Sequence, residues 1–309
     1  MKTAAFFDFS NVVTQEIELD NSSVRLFVRR EDLIHPFVSG NKFRKLRYNL
    51  AEAEKQKFTK LVTFGGAFSN HIAAVAYAGK ANDFETIGII RGDELKDNWT
   101  DNPTLVFAHS CGMEFEFVSR EVYRNKDDAS FVDSLKTKFG NFYSIPEGGT
   151  NDLAVKGCEE ILNATDKEFD YVCVSVGTGG TISGLINSAF EGQKIIGFPA
   201  LKGDFLQKDI CKFAKKNNWI LNLDYHFGGY GKVTDELIAF INRFNDKNKI
   251  PLDPIYTGKM VFGVTDLIEK DFFKKEAKIL LIHTGGLQGI EGINKQLERK
   301  NKDKININD

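Results

Sequence analysis

The sequence predicts a parallel α/β protein built as two domains. Three observations carry this reading. Short apolar, β-branched runs alternate with helical patterns along the chain. Most of those runs are continuously apolar rather than alternating, as strands are when helices cover both faces. The 309 residues suit about two domains of roughly 150 residues each.

Taken in order, the opening residues up to about Arg29 read as extended strands. Lys60 to Phe64 is a buried-strand candidate, followed by Gly65-Gly66 and an alanine-rich helical stretch from Ser69 to Lys80. Thr86 to Ile90 and Met113 to Val118 are further strands. Tyr171 to Val176 is the strongest strand in the chain, and Ile195 to Phe198 and Lys278 to Ile282 complete the set. Tyr171 to Phe190 carries no charge and is long enough to cross a membrane. Its four glycines and several hydroxyl residues instead predict a strand, a turn and a helix start. There is no internal repeat, low-complexity segment or obvious linker.

Composition narrows the function. Hydrophobic residues make up 42% and charged residues 27%, with a net charge of −2. No basic excess invites nucleic acid. The cysteines, Cys111, Cys158, Cys173 and Cys211, form no C-x-x-C pair. They read as free thiols in a reducing cytosol, not as a metal site or disulfide framework. The N-terminal apolar run is too short for a signal peptide. The expectation is a cytoplasmic protein with a small-molecule ligand and no metal, membrane or nucleic-acid partner.

Three strands run into glycine-rich turns: Gly65-Gly66, Gly177-Thr178-Gly179-Gly180 and Gly285-Gly286. Ligands of open α/β sheets sit beyond the carboxyl ends of the strands, so three such turns predict one shared crevice. Ser175 to Gly184 lies between a strand and a helix. Its glycines free backbone N–H groups to face an anion, and the helix N-terminus adds positive potential. This is a phosphate cradle. It is no P-loop, because no Gly-Lys in the chain is followed by Ser or Thr. It is a poor dinucleotide fingerprint, because the spacing is wrong and the acidic partner would be Glu191 in a turn-like Glu-Gly.

Lys42 follows the loop-forming Ser39-Gly40-Asn41 and precedes a helical pattern. A lysine desolvated at such a junction has a lowered pKa and can form a Schiff base. Most lysines are solvated surface residues, and the local sequence alone does not exclude that here. Ser69 is a good N-cap for its helix. The same geometry would present Ser69, Asn70 and backbone amides to a carboxylate.

Five motifs occur in a telling order: Ser39-Gly40-Asn41-Lys42; Gly66-Ala67-Phe68-Ser69-Asn70-His71; Gly177-Thr178-Gly179-Gly180-Thr181; Asp253-Pro254-Ile255-Tyr256-Thr257-Gly258-Lys259; and His283-Thr284-Gly285-Gly286. The set resembles the 1-aminocyclopropane-1-carboxylate deaminase / D-cysteine desulfhydrase family of fold-type II pyridoxal-phosphate enzymes, from about Arg30 to Gly289. The resemblance implies two open, twisted, mostly parallel sheets flanked by helices, with pyridoxal 5′-phosphate between the domains. It implies a large domain of residues 1–46 plus 146–309, a small inserted domain of 47–145, and a homodimer.

It also implies roles. Lys42 would hold the cofactor covalently and later shuttle a proton. Lys45, about one helical turn on, would help neutralise the phosphate bound by Gly177, Thr178, Gly179, Gly180 and Thr181. Asn70 would meet the cofactor's phenolic oxygen, and Ser69 would meet the substrate carboxylate or act catalytically by assisting proton transfer. His71, Tyr230, Tyr256 and Thr257 would line the substrate side, with Tyr230 and Tyr256 also catalytic. Thr284 would approach the pyridine nitrogen. A neutral hydroxyl there leaves the nitrogen largely unprotonated, which suits prompt loss of a β-leaving group. One departure matters. The deaminases carry Glu directly after the tyrosine of Asp-Pro-x-Tyr, whereas this chain has Thr257. The resemblance therefore implies β-elimination from a D-amino acid, D-cysteine first. The alternatives are aminocyclopropane-carboxylate deamination and a non-catalytic cofactor-binding protein of the same fold.

Overall fold

The computed structural model describes residues 2–19, 23–203 and 205–306. Two sheets organise it. The larger has the order β1-β2-β10-β7-β8-β9, formed by β1 (Thr14–Ile17), β2 (Arg25–Arg29), β7 (Tyr171–Val176), β8 (Lys194–Pro199), β9 (Trp219–Leu221) and β10 (Lys278–Ile282). Only β1 runs antiparallel to its neighbour. The smaller has the order β5-β4-β3-β6, from β3 (Lys60–Gly65), β4 (Glu85–Arg91), β5 (Met113–Val118) and β6 (Tyr143–Ile145). All its pairings are parallel.

The continuous apolar runs have the expected cause. In β10, Ile279 and Leu281 join one core with Ile238, Ile241, Met260 and Val264. Leu280 and Ile282 join another with Ile182, Leu185 and Ile186. Successive side chains point to opposite faces, so both faces of the sheet are covered. Each such residue contributes about 1.5–3 kcal/mol of burial free energy. In the small sheet, Leu61 and Ile90 pack with Phe43, Leu46 and Leu50. Val62, Ile87 and Ile89 pack on the other side with Tyr123 and Leu135.

Register places the site. Ile282 of β10 lies level with Arg29 of β2 and Val174 of β7. The segments at the carboxyl ends of these strands, Arg30–Asp32, His283–Gly286 and Ser175–Gly180, therefore emerge side by side.

Three elements depart from expectation. Lys2–Phe6 is helical, inside a region expected to hold only extended strands. β6 and β9, each three residues long, were not expected at all. The boundary drawn between residues 46 and 47 falls inside the helix Asn41–Lys55. The Tyr171–Phe190 stretch divides into β7, a turn and the helix Gly180–Ser188. Among the described residues, no helix is long and apolar enough to cross a membrane. All four cysteines are free.

Candidate active site

Lys42 is the second residue of its helix, and the entry to that helix is fixed from three sides. Gly40 has φ 62 and ψ −141, a region essentially restricted to glycine. A Cβ there would lie 2.0 Å from the Thr284 carbonyl oxygen. Gly40 N donates to Glu31 O at 3.0 Å, and Asn41 N donates to Thr284 O at 3.3 Å. Arg44 donates through two nitrogens to the buried Glu31 carboxylate at 2.9 and 2.8 Å. The helix start is thus pinned to the carboxyl ends of β2 and β10.

Lys42 itself is partly buried. Burial, and then the neighbouring Lys45 ammonium, lower its pKa to about 7. Lys45 is 2% exposed, and burial lowers its pKa to about 8. Its Nζ donates to Gly148 O and Thr150 Oγ1, both at 2.9 Å. Among the described residues no carboxylate forms an ion pair with either lysine. Two adjacent cationic groups without a counter-charge await an anion.

The glycine-rich turn after β7 supplies the rest of that anion site. Gly179 has φ 84 and caps the helix Gly180–Ser188. A Cβ on Gly180 would lie 2.8 Å from Thr150 Oγ1 and 3.1 Å from Lys45 Nζ, so a side chain would fill the space beside the ammonium. The Thr150 and Thr178 hydroxyls are 2.6 Å apart, and Thr181 Oγ1 accepts from Asn41 Nδ2 at 2.8 Å. Helix-terminal amides, hydroxyls and an unpaired ammonium around one glycine-lined hollow fit a phosphate group.

Ser69 caps the helix Asn70–Ala81, its Oγ accepting from Ile72 N at 3.4 Å. That leaves its own proton free for a ligand. His71 is 1% exposed. Its Nε2 lies 2.8 Å from Thr63 Oγ1, and the Thr63 hydroxyl donates to Ile145 O at 2.9 Å. The single hydroxyl proton is therefore spent, so Nε2 carries the imidazole proton. Nδ1 has no hydrogen-bond partner. Burial first, and then Lys42 and Lys45, hold His71 neutral, well below its ordinary pKa.

Opposite these groups, Thr284 Oγ1 and Ser175 Oγ lie 3.1 Å apart at the ends of β10 and β7. Tyr230 and Tyr256 stand edge to face with ring centres 6.1 Å apart. Burial, and then Tyr230, raise Tyr256 well above an ordinary phenol. Tyr256 also packs beside Gly177, where a Cβ would sit 3.2 Å from its ring. One cavity of about 590 Å³ collects the set. Of the residues expected at the site, all but Gly180 and Thr257 line it. Gly180 touches the same hollow from behind, through Lys45 and Thr150.

Thr257 requires a correction. It was expected on the substrate side but is fully buried, away from the cavity wall. Its hydroxyl donates to Asp253 Oδ2 at 2.7 Å and accepts from Asp253 N at 3.0 Å. A helix turns about 100° per residue, so the neighbour of a cavity-facing tyrosine faces the core. Asp253 also accepts from the backbone N–H groups of Ile255, Tyr256 and Thr257, and so fixes the Tyr256 turn.

Asn41, Ser175, Arg91 and Glu147 also line the cavity, and Thr150 completes the anion site. Asn41 and Ser175 stand in motifs read from the sequence without a role of their own, and Arg91, Glu147 and Thr150 stand in none. Ser175, Arg91 and Glu147 all lie at or just past strand carboxyl ends, which was the available signal. Asn41 adjoins Lys42, whereas nothing local marks Thr150.

Fold and site together define an α/β enzyme that binds a phosphorylated cofactor beside a low-pKa lysine. A family model described as "Pyridoxal-phosphate dependent enzyme" matches residues 11–285, and the chain belongs to that family. It is 32% identical over 298 residues to the "Bifunctional D-cysteine desulfhydrase/1-aminocyclopropane-1-carboxylate deaminase, mitochondrial" of Arabidopsis thaliana, covering 87% of this chain and 74% of that one. It is 27% identical over 293 residues to the "D-cysteine desulfhydrase" of Klebsiella pneumoniae, covering 86% and 88%. A crystal structure titled as an ACC deaminase homologue superposes with a TM-score of 0.80 at 26% identity, covering 94% and 93%. The unpaired Lys42 and Lys45, and the hollow that a Cβ at Gly180 would fill, fit pyridoxal phosphate.

Proposed function

We propose that this enzyme catalyses β-elimination from D-cysteine, in which D-cysteine and water give pyruvate, ammonia and hydrogen sulfide. The observation that carries the reading is the arrangement around the cavity. A low-pKa amine at Lys42 shares one cavity with the Tyr230–Tyr256 pair, and the hydroxyls of Thr284 and Ser175 lie together at the strand ends. The names of the Arabidopsis and Klebsiella relatives support the substrate.

Pyridoxal phosphate, when bound, supplies the electron sink that stabilises charge at the substrate α-carbon. Lys42 would hold it covalently through Nζ until the substrate's amino group takes that place. Lys45, Thr178, Thr181 and the amides of Gly177, Gly179 and Gly180 would hold its phosphate. Asn70 would hydrogen-bond its ring oxygen, and Thr284, backed by Ser175, would offer its ring nitrogen a neutral hydroxyl. Ser69 Oγ and the helix start beside it bind the substrate carboxylate, with His71 behind them. Once the substrate's amino group has displaced it, the freed Lys42 Nζ would take the α-proton. Tyr230 Oη, aligned by Tyr256, delivers a proton to the departing sulfur.

The sheet β3–β6 with its helices acts as the small domain, carrying Ser69 toward Lys42 when substrate binds. A cytoplasmic homodimer completes the reading, and sedimentation checks its size. Aminocyclopropane-carboxylate deamination is the second reading, favoured by the bifunctional name of the Arabidopsis relative. For the first reading, the holoenzyme releases sulfide and pyruvate in equal amounts from D-cysteine, and Lys42→Ala releases neither. Absence of both products with the wild-type holoenzyme overturns it.

A further inference from the structure

Lys259 is a buried cation for which the proposed chemistry has no use. It is 2% exposed and sits at the third position of the helix Thr257–Glu269. A helix N-terminus disfavours positive charge, so something must compensate. Burial lowers its pKa to about 8, while Asp253 pulls the other way. Its Nζ donates to His226 O at 3.0 Å and to Gly229 O at 2.9 Å.

Those carbonyls belong to the loop that carries Tyr230. The loop is conformationally expensive. Phe227, Gly228, Gly229 and Gly231 have φ of 52, 89, 112 and 70. A left-handed run with a phenylalanine in it persists only where surrounding structure over-determines it. Local bonds exist, from Gly229 N to His226 O and from Lys232 N to Gly229 O. They close the loop on itself; the Phe227 ring packs edge to face on Phe262 with centres 5.0 Å apart, but that contact leaves the backbone beyond Phe227 without a polar tie to the body. Lys259 grips the two carbonyls on either side of the bend from inside the core. It is also three residues from Tyr256, so one helix start sets both tyrosines.

We propose that Lys259 is a positioning residue for Tyr230, clamping the 226–231 loop so that the phenol meets the cavity. The inference rests on the reading of Tyr230 as the group that hands a proton to the leaving sulfur. The test compares wild-type holoenzyme with Lys259→Met, Tyr230→Phe and the double variant. Lys259→Met keeps the visible cofactor band of the wild type. Its kcat on D-cysteine falls by about 10- to 100-fold, the loss expected from a misplacement near 1 Å, with KM little changed. The double variant is no slower than Tyr230→Phe, because both changes remove one function. Trypsin cuts after Lys232 in Lys259→Met and not in the wild type. Lys259→Gln, which keeps one N–H₂ group for the carbonyls, falls between.

Wild-type turnover by Lys259→Met, or additive losses in the double variant, overturns the proposal. So does failure of both Lys259 variants to fold, which would make the lysine a core residue only. Full turnover by Tyr230→Phe counts against the reading of Tyr230 alone. The clamp then stands or falls on cleavage at Lys232.

Discussion

Lys42 and Thr257 show how much a single residue's surroundings decide. Lys42 has an amine that burial and Lys45 bring to a pKa of about 7. A lowered pKa leaves more of the amine neutral at physiological pH, and only the neutral amine attacks a carbonyl. The rate of pyridoxal-phosphate uptake by apoenzyme should therefore rise about tenfold per pH unit below 7 and level off above it. Stopped-flow absorbance checks this, and a rise continuing to pH 10 would assign an ordinary lysine. Borohydride followed by peptide mapping should place the label on Lys42. Thr257 gives the opposite lesson. The identity of this residue was legible in the sequence, but its direction was not. A carboxylate at 257 would stand against the Asp253 carboxylate in a dry site. Thr257→Glu should lose about 3 kcal/mol or more of stability, as an uncompensated buried charge does, rather than gain ring-opening activity. Thr257→Val, which only removes the hydroxyl bonds, should lose about 1–3 kcal/mol. Urea unfolding of the two variants measures both.

The elements that matter most are two helix starts held by glycine. At Gly40 the backbone is in a glycine-only region with the Thr284 carbonyl 2.0 Å from any Cβ. Gly40→Ala should prevent the Lys42 helix from docking, and little folded protein should be recovered. At Gly179 the effect should be more selective. A Cβ there meets Ile210 Cγ1 at 3.1 Å with φ 84, so Gly179→Val pushes the turn off the phosphate. A charge-assisted hydrogen bond is worth roughly 1.5–3 kcal/mol. Cofactor affinity should fall about tenfold or more, while the protein stays folded in excess cofactor. Titration by fluorescence reads this, and unchanged affinity would remove the turn from the site. Long, continuously apolar strands such as Tyr171–Val176 were legible because burial on both faces leaves a strong pattern. β6 and β9 were not, because three residues carry too little pattern. Their formation depends on a longer neighbour already in place, β3 for β6 and β8 for β9. The helix Lys2–Phe6 was missed for a similar reason. Its five residues rest on tertiary bonds, such as that from the Thr3 hydroxyl to Glu54, which no local signal foretells.

At the scale of the whole molecule, the site exists because β2, β7 and β10 end level and face the smaller sheet's loops. The sequence announced this through three glycine-rich turns. It could not announce Arg91, Glu147 or Thr150, whose places depend on how the sheets meet. The central claim is that this assembly expels a β-thiol rather than opens a ring. Ring opening of aminocyclopropane carboxylate has no ordinary α-proton to remove and needs further acid–base help near the cofactor. Thr257, turned into the core and bonded to Asp253, offers none. The most direct measurement incubates the holoenzyme in parallel with D-cysteine and with aminocyclopropane carboxylate and identifies the keto acid formed. Pyruvate with sulfide from the first, and little or no 2-oxobutanoate from the second, is the predicted result. Efficient release of 2-oxobutanoate by the unmutated enzyme would contradict it.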